Sequence, residues 1–256
     1  MNRQPQRLDV TFTITWESDW HVGSGRGTVQ VDRLLRQRAW GARGERVPFV
    51  PGSQIKGVLR HQCERLAALL GGEVVSPHVV GAETDPALLE AFRPLAQSRL
   101  LIDRLFGSRF QGECLFVEDA LPAPGDRRGT TRTHSRTAID RLTGTAREQT
   151  LFVTEVVQGR ATRLHSRLQA RHPAGSLTQD GDSFPFEYSL LLAGLLSLDR
   201  LGGDKSAGFG RCRIEIENNT VRWNDQSSFP LGQALKSFED LGEDWFAFLK
   251  DFRGEG

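Results

Sequence analysis

The segment from Val10 to Trp16 alternates large apolar side chains with threonines, so its pattern repeats every two residues. Apolar residues of β-branched and aromatic type in this alternation are typical of a strand that buries one face and exposes the other. Such a strand requires a second layer of structure over its apolar face. This requirement constrains what the rest of the chain folds into.

Helical and extended patterns follow in an order that indicates the fold class. A helix begins after Pro51-Gly52, with Ser53 as its natural N-cap, and its apolar residues recur every three or four positions up to Leu70. Further patterns predict a helix over 87–105, strands over 114–117, 150–157 and 160–168, a helix over 186–201 and a strand over 211–217. The order strand, helix, strands, helix, strand predicts an α+β fold, with a ferredoxin-like or RRM-like core and long insertions.

The domain organisation follows from the length of the chain and from the lack of repeats. A chain of 256 residues fits one large or two small domains, and no low-complexity linker divides this one. We expect one elaborated domain over residues 1–217, with an acidic C-terminal extension over residues 218–256 packed on it.

The formal charge of +1 conceals an uneven distribution. Residues 127–171 carry ten arginines and three carboxylates. Residues 121–147, which overlap this region, are rich in Arg, Thr and Gly without a clean period, which predicts a long loop or a projecting hairpin. A surface that faces a polyanion would explain the charge, and a solvated arginine-rich loop would explain it equally well.

Several protein classes are excluded by what the sequence lacks. No window approaches the ~18 consecutive apolar residues of a membrane span, and residues 1–8 lack the apolar stretch of a signal peptide. We therefore expect no membrane partner and a cytoplasmic location. The three cysteines are far apart without a C-x-x-C motif, which argues against a disulfide framework and against a cysteine zinc site.

The start of the first helix is one candidate anion site. Free backbone N–H groups and the positive end of the helix dipole attract anions, and Lys56 and Arg60 lie four residues apart on one helix face. Together with Ser53 they could clamp a phosphate. The alternative is an ordinary capped helix with two exposed bases.

A glycine-rich loop over residues 201–211 is a second candidate. Its four glycines allow the backbone to approach a ligand closely, and Lys205 and Arg211 supply cations. A nucleotide P-loop needs a strand before it and a helix after it, and here that order is reversed. The loop therefore favours contact with a nucleic-acid strand over NTP hydrolysis.

Five segments together resemble the RAMP superfamily, and more narrowly the repeated backbone subunit of type III CRISPR effector complexes. They are Gly-Ser-Gly-Arg-Gly at 23–27, the helix start at 51–60, Leu-Phe-Gly-Ser at 105–108 followed by the strand-like segment 112–120, Thr-Ala-Ile-Asp-Arg-Leu-Thr-Gly at 137–144, and the glycine-rich loop. The resemblance extends over residues 8–216, whereas the acidic tail lies outside it.

The resemblance implies a guide-RNA-binding backbone subunit of a type III CRISPR interference complex that cleaves complementary target RNA at regular intervals. It implies partners of four kinds: a CRISPR guide RNA, a complementary target RNA, other type III CRISPR subunits, and copies of this chain or related RAMP subunits in a helical filament. It also implies a thumb-like β-hairpin, inserted at about 121–160, that passes through the guide–target duplex. The expected RNA contacts are Gly23, Gly25, Arg26, Ser53, Lys56, Arg60, Arg132, Arg136, Thr137, Arg141, Gly203, Lys205, Ser206, Gly208 and Arg211.

The resemblance further implies endoribonuclease activity within the assembled complex. Asp32 matches the aspartate that the family needs for cutting target RNA, and His21 matches a histidine that occurs in some relatives. The implied reaction is attack of the target's 2′-hydroxyl on the adjacent phosphate, which leaves a 2′,3′-cyclic phosphate. Asp32 would bind Mg²⁺ or another divalent ion, or accept the hydroxyl proton.

Each of these assignments has an alternative. Asp32 could be a surface aspartate paired with Arg33 or Arg36, and His21 could be a buried, hydrogen-bonded histidine or an RNA contact. The whole chain could be a non-catalytic structural RNA-binding subunit, or a guide-processing RAMP endoribonuclease that acts as a free protein.

Overall fold

A computed structural model describes residues 5–41, 44–70, 101–107, 112–124, 126, 129–160, 162–172, 184–217 and 219–239. Along the chain the strands are β1 Gln6–Trp16, β2 Gln37–Trp40, β3 Glu45–Pro48, β4 Leu115–Val117, β5 Thr131–Arg136, β6 Phe152–Val157, β7 Arg163–His172, β8 Cys212–Glu215 and β9 Val221–Trp223. The α-helices are α1 Gly52–Leu69, α2 Leu101–Phe106, α3 Phe186–Leu196 and α4 Leu231–Glu239, and a short 3₁₀ turn covers Lys205–Ala207.

The main sheet has the strand order β4-β7-β1-β8, with every neighbouring pair antiparallel. Reduced to its core, the chain runs β1, α1, β4, β7, α3, β8, which is the order of a ferredoxin-like fold. The predicted α+β, ferredoxin-like class is therefore confirmed. β1 is central because β7 pairs with one of its edges and β8 and β9 share the other.

The alternation in β1 sorts its side chains between the two faces of the sheet. Phe12 and Ile14 are buried together with the other even-numbered residues, while the threonines between them remain accessible. The buried face packs under α1 and α3, and α3 also packs against α4. This second layer supplies the cover that the alternating pattern requires.

The N-terminus of α1 differs from the expectation. The helix begins at Gly52, and Ser53 is exposed and makes no capping hydrogen bond. Instead, the Oδ1 atom of Asp119, just beyond β4, accepts the Gly52 N–H at 2.9 Å. The assignment of Ser53 as N-cap is therefore wrong, because the carboxylate of Asp119, from a distant segment, accepts the first N–H of the helix.

The edge of the sheet continues past residue 217. β9 pairs with residues 8–10 of β1, directly beyond the β8 pairing with residues 13–16. The helix α4 packs against α3, where the Ser189 hydroxyl donates to the Ala234 carbonyl at 2.6 Å. Residues 221–239 thus extend both layers of the core, while the division at 217 stays a prediction.

The other predicted strands agree with the structure, whereas the other predicted helices agree only in part. The strands predicted at 114–117, 150–157, 160–168 and 211–217 correspond to β4, β6, β7 and β8. The helix predicted at 186–201 ends at Leu196, and the chain then turns toward the glycine-rich loop. The helix predicted at 87–105 lies mostly outside the described residues, of which 101–106 form α2. Among the described helices, none is long and apolar enough to span a membrane.

His172 at the end of β7 makes the stability of the fold depend on pH. Its ring is 1% exposed and packs edge-on against Tyr188, and burial lowers its pKa from 6.5 to about 4. Between these values the unfolded chain binds a proton that the folded chain does not, so stability falls as the pH falls.

We expect the free energy of unfolding to be about 2 kcal/mol lower at pH 5 than at pH 7 from this group alone. Urea titrations at both pH values measure the difference. His172→Phe should flatten this dependence, whereas His61→Gln, at an exposed position on α1, should leave it unchanged. An unchanged dependence in His172→Phe would contradict the assignment.

Candidate nucleic-acid interface

Strands β5 and β6 pair antiparallel to form a hairpin, and the loop after β1 runs back along its strand β6. The two arms of this loop pair with each other, since Ser24 N–H donates to the Leu34 carbonyl at 2.9 Å. Its returning arm lies beside β6, where Glu155 N–H donates to the Arg33 carbonyl at 2.9 Å. The expected contacts Gly23, Gly25 and Arg26 lie exposed on this loop.

Asp32 lies in the returning arm, next to the start of β6, at the end of the strands that adjoins the hairpin tip. Its N–H donates to the Val153 carbonyl at 2.9 Å, and its Oδ2 atom accepts the Val153 N–H at 2.7 Å. The side chain is nevertheless exposed. Arg33 pairs with Asp204 and Arg36 faces the Phe49 ring, so the alternative that Asp32 pairs with one of these arginines is wrong.

His21 is hydrogen-bonded to β6 and to the glycine-rich loop. It is 3% exposed, and its Nδ1 atom donates to the Glu155 carbonyl at 2.6 Å. Its own carbonyl accepts the Gly203 N–H from the glycine-rich loop at 2.7 Å. This burial contradicts a catalytic role that requires contact with RNA. It favours the alternative of a buried, hydrogen-bonded histidine, which here positions the glycine-rich loop against β6.

The glycine-rich loop docks on the hairpin through Asp204. This carboxylate accepts hydrogen bonds from Arg33 at 3.0 Å and from Arg136 of β5 at 2.9 Å. The guanidinium of Arg136 also lies 4.6 Å above the Phe209 ring, which meets His134 edge-on. Three segments that are remote in the chain, namely residues 21–35, 131–157 and 201–211, therefore form one surface, which we call the loop surface.

The expected cations on the loop surface fall into two groups. Three of them have carboxylate partners: Arg132 binds Asp19, Arg136 binds Asp204, and Arg211 binds Glu17 at 2.8 Å. Arg26, Arg141 and Lys205 have no acidic partner within the described part of the chain. The acidic partners Asp19 and Asp204 hold the loop surface together, and the sequence did not predict their pairing because nothing local marks it.

The helix start does not present the predicted phosphate clamp. The Nζ atom of Lys56 donates to Glu113 and, at 2.9 Å, to the Leu115 carbonyl. Arg60 donates to Glu64 at 2.9 Å and to the Gly107 carbonyl at 3.0 Å. Both side chains are more than four-fifths buried, so the assignment of Lys56 and Arg60 as RNA contacts is corrected.

The hairpin formed by β5 and β6 ends in an exposed tip over residues 137–151. Asp140 shapes this tip, because its Oδ1 atom accepts the N–H groups of Thr143 and Leu142, and these bonds lower the pKa of its carboxyl group. The Thr137 and Thr150 hydroxyls lie 3.1 Å apart where the tip begins. Leu142 is 98% exposed, so the tip presents apolar as well as basic side chains.

The remaining expected contacts lie on the glycine-rich loop. Ser206 and Gly208 are exposed in and after its 3₁₀ turn, and Gly203 is anchored to His21. These positions belong to the loop surface, and their contact with RNA stays a prediction.

A divalent ion would have few protein ligands at Asp32. Among the described residues, no group of three His, Cys, Asp or Glu side chains could hold a metal. One oxygen of Asp32 is already bonded to Val153. The residues present therefore do not fit a metal site formed by protein alone, and we derive no step through a metal.

A family model described as the RAMP superfamily matches residues 13–213. The chain belongs to the RAMP superfamily. The matched RAMP segment begins within β1 and ends within β8, so it contains all three segments of the loop surface. No curated protein matched.

The RAMP fold is supported independently by a solved structure. A chain of a structure titled "Type IV-B CRISPR Complex" is similar with a TM-score of 0.54 and 20% sequence identity. The likeness covers 88% of this chain and 96% of that one. At this identity the comparison supports the fold.

Proposed function

We propose that this RAMP chain is a guide-RNA-binding backbone subunit of a CRISPR effector complex. Three lines of support agree: the RAMP family, the fold shared with a chain of a CRISPR complex, and the loop surface. The observation that carries the proposal is that Asp204 and His21 join the glycine-rich loop to the hairpin and to the loop over residues 21–35.

The chemistry of the loop surface suits the sugar–phosphate backbone. Its free cations Arg26, Arg141 and Lys205 lie on loops, where side chains and backbone N–H groups can follow a strand. Contacts of this kind position an RNA without reading its sequence. A subunit that must accept any guide needs this property.

The finer proposal is a type III complex whose subunits form a filament with copies of this chain or with related RAMP subunits. In that arrangement the hairpin passes through the duplex of guide and target RNA at regular intervals, and other type III subunits complete the particle. The cytoplasmic location expected from the sequence remains part of this proposal.

We further propose that Asp32 takes part in cutting the target RNA. Its exposed carboxylate lies beside the start of β6, where the strands meet the hairpin tip, and a target nucleotide displaced by the hairpin would lie near it. Such displacement permits the in-line geometry that attack by a 2′-hydroxyl requires. Asp32 would accept the hydroxyl proton. Binding of a divalent ion at Asp32 stays a proposal, and RNA phosphates would have to supply its other ligands.

A non-catalytic structural subunit is the second candidate. It is favoured by the bond between Asp32 and Val153, because an aspartate that holds the loop against β6 has a structural reason to be there. A guide-processing endoribonuclease is a third, and incubation of the isolated chain with repeat RNA separates it from the other two.

Removing one free cation should weaken RNA binding without sequence preference. We expect Lys205→Gln or Arg26→Gln to lower the affinity for single-stranded RNA about fivefold near 0.1 M salt, because each phosphate contact contributes about 0.7 to the salt slope. Fluorescence anisotropy with two RNAs of unrelated sequence, at several salt concentrations, measures both quantities.

The matched control is Arg65→Gln, which removes an exposed arginine of α1 that bonds to Gln62. Its RNA affinity should equal that of the unmodified chain. An equal loss in Arg65→Gln would show that net charge and not the loop surface governs binding, and a loss confined to one RNA sequence would contradict backbone recognition.

A further inference from the structure

The main sheet has one face that no described helix covers. Arg7 and Thr11 of β1 and Arg167 and Arg171 of β7 point to this side, opposite the buried apolar residues. The face is therefore polar and rich in arginine. Nothing in the proposed contact with guide RNA uses it.

A pocket of about 250 Å³ lies at one end of this face. Its floor is formed by two rows of side chains across the sheet, given by the strand register. Arg171 and Arg7 form one row, and Gln169, Asp9 and Arg222 form the next. The turn after β9 forms a wall, where Asn224 exchanges hydrogen bonds with the backbone of Arg7.

The charges in this pocket are unbalanced. Arg7 and Arg171 lie directly opposite each other on antiparallel strands, an arrangement in which like charges are destabilising. Asp9 does not relieve them, because Arg167 and Gln169 bond to its carboxylate and the bond with Arg167 lowers its pKa. Among the described residues that line the pocket, the other acidic group is Asp225, which is exposed on the wall.

We propose that this pocket binds a phosphate group, held between the guanidinium groups of Arg7, Arg171 and Arg222. Guanidinium groups bind phosphate oxygens in pairs of parallel hydrogen bonds. The amide nitrogens of Gln169 and Asn224 donate to Asp9 and to Gln6, and each has a second N–H. The phosphate belongs either to a free small molecule or to the backbone of an RNA.

The pocket is distant from the loop surface. Arg7 and Trp16 stand at opposite ends of β1, and nine residues of extended strand span about 30 Å. The glycine-rich loop adjoins the Trp16 end through β8. Binding at the pocket is therefore independent of the proposed guide contact, and failure of one leaves the other intact.

Thermal unfolding of the full chain in inorganic phosphate tests the proposal. At constant ionic strength, phosphate at about ten times its Kd should raise the Tm by about 3 to 6 °C relative to chloride. Arg171→Gln should abolish this rise. The same variant in chloride should have a Tm about 1 to 2 °C above that of the unmodified chain, because the repulsion with Arg7 is gone.

The matched control is Arg163→Gln, at the other end of the same face of β7. It should keep the full response to phosphate. A response that is equally reduced in Arg163→Gln and Arg171→Gln would overturn the site, since general charge would explain it.

A second arm distinguishes the sources of the phosphate. Single-stranded RNA without terminal phosphates is titrated onto chains that carry Lys205→Gln, with and without Arg171→Gln. A further loss of affinity of about tenfold with Arg171→Gln assigns the pocket to an RNA backbone. Equal affinities, together with an intact response to inorganic phosphate, assign it to a free phosphate compound. A chain that responds to neither probe overturns the proposal.

Discussion

Asp32→Asn is expected to lower the rate of target-RNA cleavage by the assembled complex about 100- to 10,000-fold, the usual contribution of a general base. Asparagine retains an oxygen that can accept the Val153 N–H, so the loop stays against β6. It has no negative charge and cannot take up the proton of the attacking 2′-hydroxyl. Single-turnover cleavage of a complementary RNA, with binding of guide and target measured in parallel, gives the result.

The matched control for this substitution is Asp140→Asn. Asp140 is also a carboxylate on the hairpin side that accepts backbone N–H groups through one oxygen, but it lies at the tip. Its replacement should leave the cleavage rate unchanged. Full cleavage by the Asp32→Asn complex would make the aspartate structural and favour the non-catalytic subunit. Loss of RNA binding together with cleavage would also contradict the catalytic assignment.

Gly210→Ala is expected to lower the stability of the chain strongly. Gly210 has φ +78°, and a Cβ atom there would overlap the carbonyl oxygen of Leu201. The Leu201 N–H also donates a hydrogen bond to the Gly210 carbonyl at 2.9 Å. The two ends of the glycine-rich loop must therefore separate to admit a methyl group. We expect a loss of at least about 3 kcal/mol, or a Tm lower by about 6 to 12 °C, together with loss of RNA binding.

Gly208→Ala separates backbone strain from this overlap. Gly208 also has a positive φ, of +88°, but a Cβ there meets nothing within 4 Å. Its replacement should cost only the strain of a left-handed residue, about 1 to 2 kcal/mol. Equal destabilisation in the two variants, measured by denaturant unfolding, would show that the contact between Gly210 and Leu201 is not what closes the loop.

The core could be predicted from the sequence because its signals are local. The alternation in β1 and the apolar spacing of α1 report which face of each element is buried, and the order of elements selects the ferredoxin-like arrangement. Short elements with no such signal were missed. β9 is three residues long, and neither it nor α4 was predicted. The helix α3 was predicted, and it is buried all round because α4 packs against it.

The site could be predicted only in part, because a charged residue reveals its type in the sequence but not its partner. Lys56 and Arg60 have the spacing of a phosphate clamp, yet they form ion pairs with Glu113 and Glu64. His21 resembles a catalytic histidine, yet its ring N–H donates a hydrogen bond to the backbone carbonyl of Glu155, which lies 134 positions away in the chain. Each of these outcomes depends on which side chains the fold brings within about 3 Å.

By itself, the sequence determined the layered core and the approximate places of the loops that meet at the candidate interface, because periodicity and glycine content act on the neighbouring residues. Only the tertiary structure decided which of the cations remain free. Asp19 and Asp204 bind Arg132 and Arg136 while Lys205 and Arg26 have no acidic partner in the described chain. The physical reason is that an ion pair depends on a few ångströms of distance, which strand register and loop docking set and local composition does not.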